Sequence, residues 1–526
     1  MLARFVVAII AVVAIAAGVL ELRGAANGLR ITHTQAGDTP VTIFQPEAKA
    51  PAPVVVIAHG FAGSQQLMQP FAQTLARNGY IAVTFDFLGH GRNPVPIRGD
   101  ITEDETITSA LLRELGRVAV LARTLPDSDG RLAVLGHSMA SDIVVRFAMT
   151  NPEVQATVAV SVFSPVVTAT SPRNLLVIVG ALEPSMLTRE SLRIVNLAAG
   201  GNAMIGATYG NFAEGTARRL VVAGGVEHIG VLYSRDSMEQ SLQWMNEAFG
   251  RQQTGFIDRR GSWLALVFFG LIALAWPLSA LLPVANVTPV GANFPWKPLL
   301  IAAFVPTLLT PLTLWKMPTS FLPILLGDYL ALHFLLYGAL TAAAYFCVTR
   351  FARKRLGHPR PSFFAATNGL AGPGKMPAMT ASRRIAIAAI AVAAYNIIAF
   401  GLPIDAYVFS FMPIPERVPL IAAIACGTLP YFIVDEWLTR GARPRWGGYA
   451  LTKFCFLLSL ALAVALNPMK LFFLAIIAPA ILLLFLAFGL ISYWSYKATH
   501  HPLPGALGNA AVLAWGIAVT FPMVVR

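Results

Sequence analysis

The segment Gly136-His137-Ser138-Met139-Ala140 follows the apolar run 131–135 and is followed at once by a helical pattern. A serine on a sharp turn between strand and helix projects from the strand end. Its strained backbone demands small residues two places to either side. Gly136 meets that demand, and Ala140 is small although it is not the usual second glycine. Ser138 is therefore the candidate nucleophile. A serine hydroxyl needs a neighbouring base to be reactive. Beyond Ser138, the charged part of the chain holds one histidine, His228, in Gly224-Gly225-Val226-Glu227-His228 just past the apolar run 220–223. An imidazole base in turn needs an acid that orients it and stabilises its cation. Glu183 sits in Gly180-Ala181-Leu182-Glu183-Pro184 after the run 175–179, between serine and histidine in chain order. Asp142 lies on the helix after the serine and points the wrong way along the chain; Glu227 adjoins the base too closely to reach it.

Acyl transfer through a tetrahedral intermediate also needs backbone N–H donors aimed at the developing oxyanion. With a serine on such a turn, one donor is the residue after it, Met139, and the other comes from the loop after an earlier strand. His59-Gly60-Phe61-Ala62-Gly63 follows the apolar run 54–58, and Phe61 is the candidate. This chemistry needs no metal and no organic cofactor.

The elements that must position these groups alternate. Apolar, β-branched runs at 54–58, 80–87, 132–135, 154–162, 175–179 and 220–223 read as buried strands. Helical patterns at 66–78, 102–125, 141–149, 191–199 and 237–249 lie between and after them. Residues 29–45 read as an antiparallel pair. Alternation of this kind predicts an α/β fold, a mostly parallel sheet with helices on both faces.

Residues 30–250 resemble the α/β-hydrolase superfamily of serine esterases, lipases and peptidases. The resemblance rests on His59-Gly60-Phe61, Asp86-Phe87-Leu88-Gly89-His90-Gly91, the segment Gly136–Ala140, Gly180–Glu183 and His228. It implies hydrolysis of an ester, thioester or amide through an acyl-serine intermediate, with Asp86 and His90 structural. No long cap is inserted between the strands at 154–162 and 175–179, so the site is either open or covered by the rest of the chain.

That rest is of another character. The 526 residues are 56% hydrophobic and 12% charged, against about 25% charged in a soluble domain. The apolar excess lies in a run at 5–20 and in eight segments near 263–283, 298–315, 321–347, 385–402, 418–434, 450–466, 471–494 and 506–524. Each is long enough to cross ~30 Å of hydrocarbon. Three parts follow: an N-terminal transmembrane anchor or cleaved signal at 1–22, with Gly24-Ala25-Ala26 as cleavage candidate; the α/β domain at 28–252; and an all-α membrane domain of about eight helices at 262–526. Cys347, Cys426 and Cys455 all lie in apolar runs and build neither a disulfide framework nor a zinc site.

The net charge of +13 does not indicate nucleic acid, because the basic residues gather in loops between apolar runs. Such loops mark the cytoplasmic side. The loop 348–384 carries eight basic residues and no acid, and the loop after Val434 carries Arg440, Arg443 and Arg445. Counting back three crossings puts the α/β domain outside the cytoplasm, periplasmic at an inner membrane, and Arg4 before the first run agrees. Arg251, Arg259 and Arg260 conflict with that placement. The stretch 356–382, rich in Pro, Gly and Ala, reads as a flexible loop.

Within the apolar segments, Asp328 and His333 lie five apart and read as interhelix or pore-lining polar contacts. Asp435-Glu436-Trp437-Leu438-Thr439-Arg440 resembles the Glu-Glu-x-x-x-Arg motif of intramembrane CAAX-type proteases, but His500 and His501 do not fall where that family places its histidines. These charges read instead as a cytoplasmic interface, with Trp437, Trp446 and Trp494 as interfacial anchors. The leading expectation is a membrane-anchored serine hydrolase whose partners are the bilayer and a small-molecule or lipid-like ester. An acyltransferase with the same residues, and a transporter or sensor with a non-catalytic domain of this fold, are the alternatives.

Overall fold

The computed structural model describes residues 1–48, 50–98, 104–356 and 379–525. Most of the stretch 356–382, and with it much of the basic loop 348–384, lies outside the described residues, as does the start of the helix expected at 102. The chain forms two compact units. One comprises Ala16–Val267, Pro403–Ile414 and Val519–Arg526; the other comprises Met1–Ile15, Phe268–Leu402 and Pro415–Ala518.

The first unit is an α/β domain. Its strands are β1 (Leu29–Ala36), β2 (Thr39–Pro46), β3 (Ala52–Ala58), β4 (Ile81–Phe85), β5 (Ser128–His137), β6 (Val154–Val160), β7 (Leu175–Gly180), β8 (Thr208–Tyr209) and β9 (Arg218–Ala223). They make one sheet in the order β1-β2-β4-β3-β5-β6-β7-β9-β8. The strands from β4 to β9 pair in parallel, whereas β1, β2 and β8 add antiparallel edges. The long apolar helix α1 (Leu2–Gly24) precedes the sheet; α2 (Gln69–Arg77), α3 (Asp104–Arg123), α4 (Met139–Thr150), α5 (Ser185–Ala199) and α6 (Arg235–Phe249) are its crossovers and flanks.

Every residue of β3 is buried. This is why it reads as an unbroken apolar run, not an alternating one: a central parallel strand is covered on both faces. Val55 and Ile57 join a cluster with Phe71 of α2 and Trp244 of α6. Val54 and Val56 face the other way, toward Leu115 and Val118 of α3 and Val144 of α4. Because these strands run parallel, the loops after each of them lie at one sheet edge, where ligands of open α/β sheets bind.

The second unit is all-α. Its helices continue from α7 (Arg260–Leu278), which is shared between the units, through α8 (Trp296–Leu314), α9 (Gly327–Leu356), α10 (Ala381–Ala394), α11 (Phe400–Tyr407), which is likewise shared, α12 (Val418–Thr439), α13 (Gly448–Leu466) and α14 (Pro468–Thr499) to α15 (Leu503–Thr520). A π-helical turn, Tyr395–Ala399, joins α10 to α11. Among the described residues, nine helical stretches including α1 are long and apolar enough to cross a membrane.

Several sequence expectations change. The run 321–347 is not one helix: α9 begins at Gly327, and Asp328 in its first turn accepts hydrogen bonds from the N–H of Phe321 (2.9 Å) and of Tyr329 (2.9 Å). It ties down the helix start. The run 506–524 also ends early. α15 stops at Thr520, and residues 521–525 cross to the α/β unit, as does the stretch 403–414. The charges at 435–440 are buried, not interfacial. Asp435 meets Lys453 of α13, and Glu436 binds Arg440 at 2.8 Å, because an ion in an apolar surrounding must be paired. Trp437 is 3% exposed and donates to Tyr345, so it anchors no lipid interface. His333 is buried with its Nε2 3.1 Å from Ser459 Oγ, an interhelix contact.

Candidate active site

The last residue of β5 is His137 and the first of α4 is Met139, so Ser138 alone makes the turn. Its backbone lies at φ 54°, ψ −119°, a conformation that costs an L-residue roughly 1–3 kcal/mol. Two features hold it there. The Ser138 N–H donates to Val160 O of the neighbouring strand at 2.9 Å. Gly136 lets the turn close: a Cβ at that position would stand 2.4 Å from Ala140 O.

His228 lies in the loop after β9. Glu227 folds that loop by accepting the N–H groups of Ile229 and Gly230, both at 2.8 Å, and takes no part at the imidazole. The structure brings the three candidates together. His228 Nδ1 is 2.8 Å from Glu183 Oε2, and His228 Nε2 is 2.9 Å from Ser138 Oγ. A carboxylate only accepts, so Nδ1 carries the proton and Nε2 is left to accept from the serine hydroxyl. The Glu183 side chain has no solvent exposure. Its second oxygen, Oε1, accepts from Ser161 Oγ at 2.7 Å and from the Gly180 N–H at 2.8 Å. Asp142 binds Arg146 and Ser164 instead.

The loop after β3 presses against the serine turn: a Cβ on Gly60 would meet Ser138 Cβ at 2.9 Å. His59 is held neutral inside it. Its Nε2 accepts from the Phe87 N–H at 3.1 Å, its Nδ1 donates to Gly60 O at 2.8 Å, and burial lowers its pKa. Phe61, next along, packs edge-on against His90, 6.0 Å between ring centroids. Met139, as the first residue of α4, has an N–H for which the helix offers no acceptor. Asp86 accepts from the backbone of Gln65 and Arg92 and braces this region, a structural part.

Two contributors were not visible in the sequence. Ser161 donates to the Glu183 carboxylate, yet a serine after a strand carries no signal of its own. His137, beside Ser138, donates from Nε2 to the carbonyl oxygen of His228 at 3.0 Å and so ties the loop of His228 to the turn. Burial, and then the facing His228, hold its pKa well below the ordinary histidine value.

The pH dependence of stability follows. Unfolded, His137 takes up a proton near pH 6.5; folded, it does so only at lower pH. The unfolded state therefore binds more protons below pH 6.5, and stability falls as the pH drops from that value toward the folded pKa. The limiting slope is about 1.4 kcal/mol per pH unit for each such group. His59 acts in the same direction. His137→Gln keeps a donor toward the His228 carbonyl but removes the titration. Its unfolding midpoint should decline less steeply between pH 7 and pH 5 than that of the wild type. Parallel slopes for the two proteins would refute the assignment.

Residues 49–194 match the family described as "Serine aminopeptidase, S33". Cutinase 1 of Thermobifida cellulosilytica is 26% identical over 117 residues, 22% of this chain and 42% of that protein. The cutinase of Thermobifida fusca (strain YX) is 26% identical over 117 residues, 22% of this chain and 36% of that protein. The chain thus spans about two fifths of the length of the curated relatives it matches. Among solved structures, a Klebsiella pneumoniae subsp. pneumoniae protein provisionally assigned as a dienelactone hydrolase aligns at 19% identity with a TM-score of 0.32. That alignment covers 43% of this chain and all of the other.

Proposed function

We propose that this chain, whose residues 28–252 form an α/β-hydrolase domain, is a membrane-bound serine hydrolase acting on an ester, thioester or amide through an acyl-serine intermediate. The observation that carries the proposal is the continuous hydrogen-bonded series Ser138–His228–Glu183, with distances of 2.9 and 2.8 Å.

The chemistry follows from that geometry. Ser138 Oγ attacks the carbonyl carbon while its proton passes to His228 Nε2. The new imidazolium is stabilised by the Glu183 carboxylate, which keeps its own charge. The carbonyl oxygen becomes an oxyanion, for which the N–H groups of Phe61 and Met139 are the proposed donors. The tetrahedral adduct collapses, the bond to the leaving group breaks, and His228 Nε2 returns the proton to it. Water then enters and attacks the acyl carbon while giving a proton to His228; as this second adduct collapses, the bond from the acyl carbon to Ser138 Oγ breaks and His228 returns the proton to Oγ, releasing the acid.

An amphiphilic substrate suits the surroundings. Phe163, Leu182, Met186 and Ile229 are exposed large apolar side chains. Leu182 and Ile229 adjoin Glu183 and His228 in sequence, and Phe163 lies two residues beyond Ser161. Exposed apolar groups on the loops that carry such side chains suit an apolar partner. Residues 1–22 are taken as a retained anchor, and the apolar helices of 262–520, apart from the stretch 403–414 that belongs to the α/β unit, as a multi-pass membrane domain of the inner membrane. Close packing of α1 on α7 supports the anchor: a Cβ on Gly18 would meet Val267 at 2.6 Å, and one on Gly270 would meet Ile15 at 2.7 Å. Small residues of this kind let membrane helices approach. The α/β-hydrolase domain lies on the periplasmic side. The arginines that oppose this placement are largely committed elsewhere, since Arg260 is buried against Asp258 at 2.7 Å and Arg251 donates to Gly79 O at 3.1 Å.

The test is labelling by a fluorophosphonate probe in cells, wild type beside Ser138→Ala and His228→Ala. A membrane-impermeant probe is run in parallel after permeabilising the outer membrane. Labelling lost in both variants, and present with the impermeant probe, supports the reading. A wild type that does not label removes the catalytic assignment, and labelling only after the inner membrane is breached removes the periplasmic one.

A further inference from the structure

The loop that carries Phe61 is braced from two sides by parts of the chain that lie far downstream, in the apolar region of the sequence. On one side are residues 521–525. The Met523 N–H donates to Gly89 O at 2.8 Å, the Ile97 N–H to Met523 O at 2.9 Å and the Val525 N–H to Ile97 O at 2.9 Å, a parallel bridge of backbone to backbone. Gly89 is shaped for it, since a Cβ there would stand 2.4 Å from Met523 O. Phe521, 2% exposed, sets its ring edge-on to Phe61 with centroids 6.4 Å apart.

On the other side is the stretch 403–414. Asp405 pairs with Arg92 at 2.6 Å, and its other oxygen accepts the N–H groups of Phe411 (2.9 Å) and Met412 (2.8 Å), which folds the stretch. The Ser410 N–H donates to Ser64 Oγ at 2.9 Å across a separation of 346 residues, and Ser410 Oγ reaches Gln66 at 3.0 Å. Between these braces the loop contains Ala62 at φ 56°, a left-handed conformation an alanine does not hold unaided. Such strain persists where the surroundings over-determine it.

We infer that residues 403–414 and 521–525 are positioning elements for the oxyanion-binding loop, so that the active site is complete only when these downstream segments are seated on it. The inference rests on the serine-hydrolase reading and on Phe61 as oxyanion donor. Neither segment touches the reacting atoms; each acts through the placement of the Phe61 backbone. An oxyanion donor works on the transition state, which requires the donor to be in place before charge develops. A displaced loop therefore lowers kcat and the affinity for tetrahedral mimics while leaving substrate binding nearly intact.

The test uses the full chain in detergent, with Phe521→Ala, Phe521→Leu and Asp405→Asn compared on one soluble acyl ester and one alkyl boronic acid, which forms a tetrahedral adduct with serine. Phe521→Ala should lose tenfold or more in kcat and a similar factor in boronic-acid affinity, with KM changed less than twofold. Phe521→Leu should recover most of both. Asp405→Asn should lose severalfold in kcat with the same KM pattern. Variants that keep wild-type kcat, or that raise KM with kcat unchanged, would overturn the inference. If Phe521→Ala does not fold, Asp405→Asn decides by the same criteria. Failure of the underlying reading looks different: the wild type itself would show no turnover that Ser138→Ala abolishes.

Discussion

Ser138→Ala, His228→Ala and the double variant should fall to the same residual activity, about 10⁴–10⁶-fold below the wild type in kcat. The two residues act as one device. Without the imidazole the hydroxyl keeps its proton and is a poor nucleophile; without the hydroxyl the imidazole has nothing to deprotonate. Once either is gone, removing the other costs nothing further, so the losses do not multiply. What survives in all three variants is the contribution of substrate placement and oxyanion donors, on the order of 10³–10⁴ over water. The measurement is steady-state kcat for release of a chromogenic leaving group by all four proteins. If the double variant lost the product of the two single losses, the residues would be acting independently, and the 2.9 Å contact between them would not be the reactive one.

The parts of this site that were legible in the sequence are those set by short-range structure. A strand, a one-residue turn and a helix can be read locally, and so can Gly136 and Ser138. Glu183 and His228 are legible as candidates because each follows an apolar run whose end must lie at the same sheet edge as the end of β5. Ser161 was not found, because its role depends on the carboxylate reaching back across from the next strand to it. The helical region was legible as apolar length but not in its ends. Hydropathy continues through Phe521, Met523 and Val524, so it could not register that these residues leave α15 and bury against the α/β unit. Likewise Asp435 and Glu436 read as a cytoplasmic interface, since a single sequence does not show that Lys453, eighteen residues on, arrives to neutralise Asp435. Where a residue's meaning is set by a partner from another element, periodicity carries no trace of it.

Glu183→Gln should cost about 10³–10⁴-fold in kcat, and the geometry says why a substitution that removes so little volume is so damaging. A glutamine amide has one accepting end and one donating end. The Oε1 position of Glu183 receives two donors, Ser161 Oγ at 2.7 Å and the Gly180 N–H at 2.8 Å, so the amide oxygen must occupy it. The amide NH₂ is then forced into the Oε2 position, facing His228 Nδ1. The imidazole must accept there, which moves its proton to Nε2, and Nε2–H now points at Ser138 Oγ. The serine meets a donor where it needs a base. Glu183→Ala lacks that enforced tautomer, and water can serve Nδ1, so it should be no worse than Glu183→Gln despite the larger truncation. Ser161→Ala removes one of the two donors and should cost only about tenfold, the scale of a single hydrogen bond to a charged group. Kinetics of the three variants at neutral pH, each checked for retained fold by its unfolding midpoint, decide the matter. Near-wild-type activity in Glu183→Gln would mean that the carboxylate is not the group that fixes the His228 tautomer, and the order Glu183→Ala far below Glu183→Gln would mean that its role is to fill space.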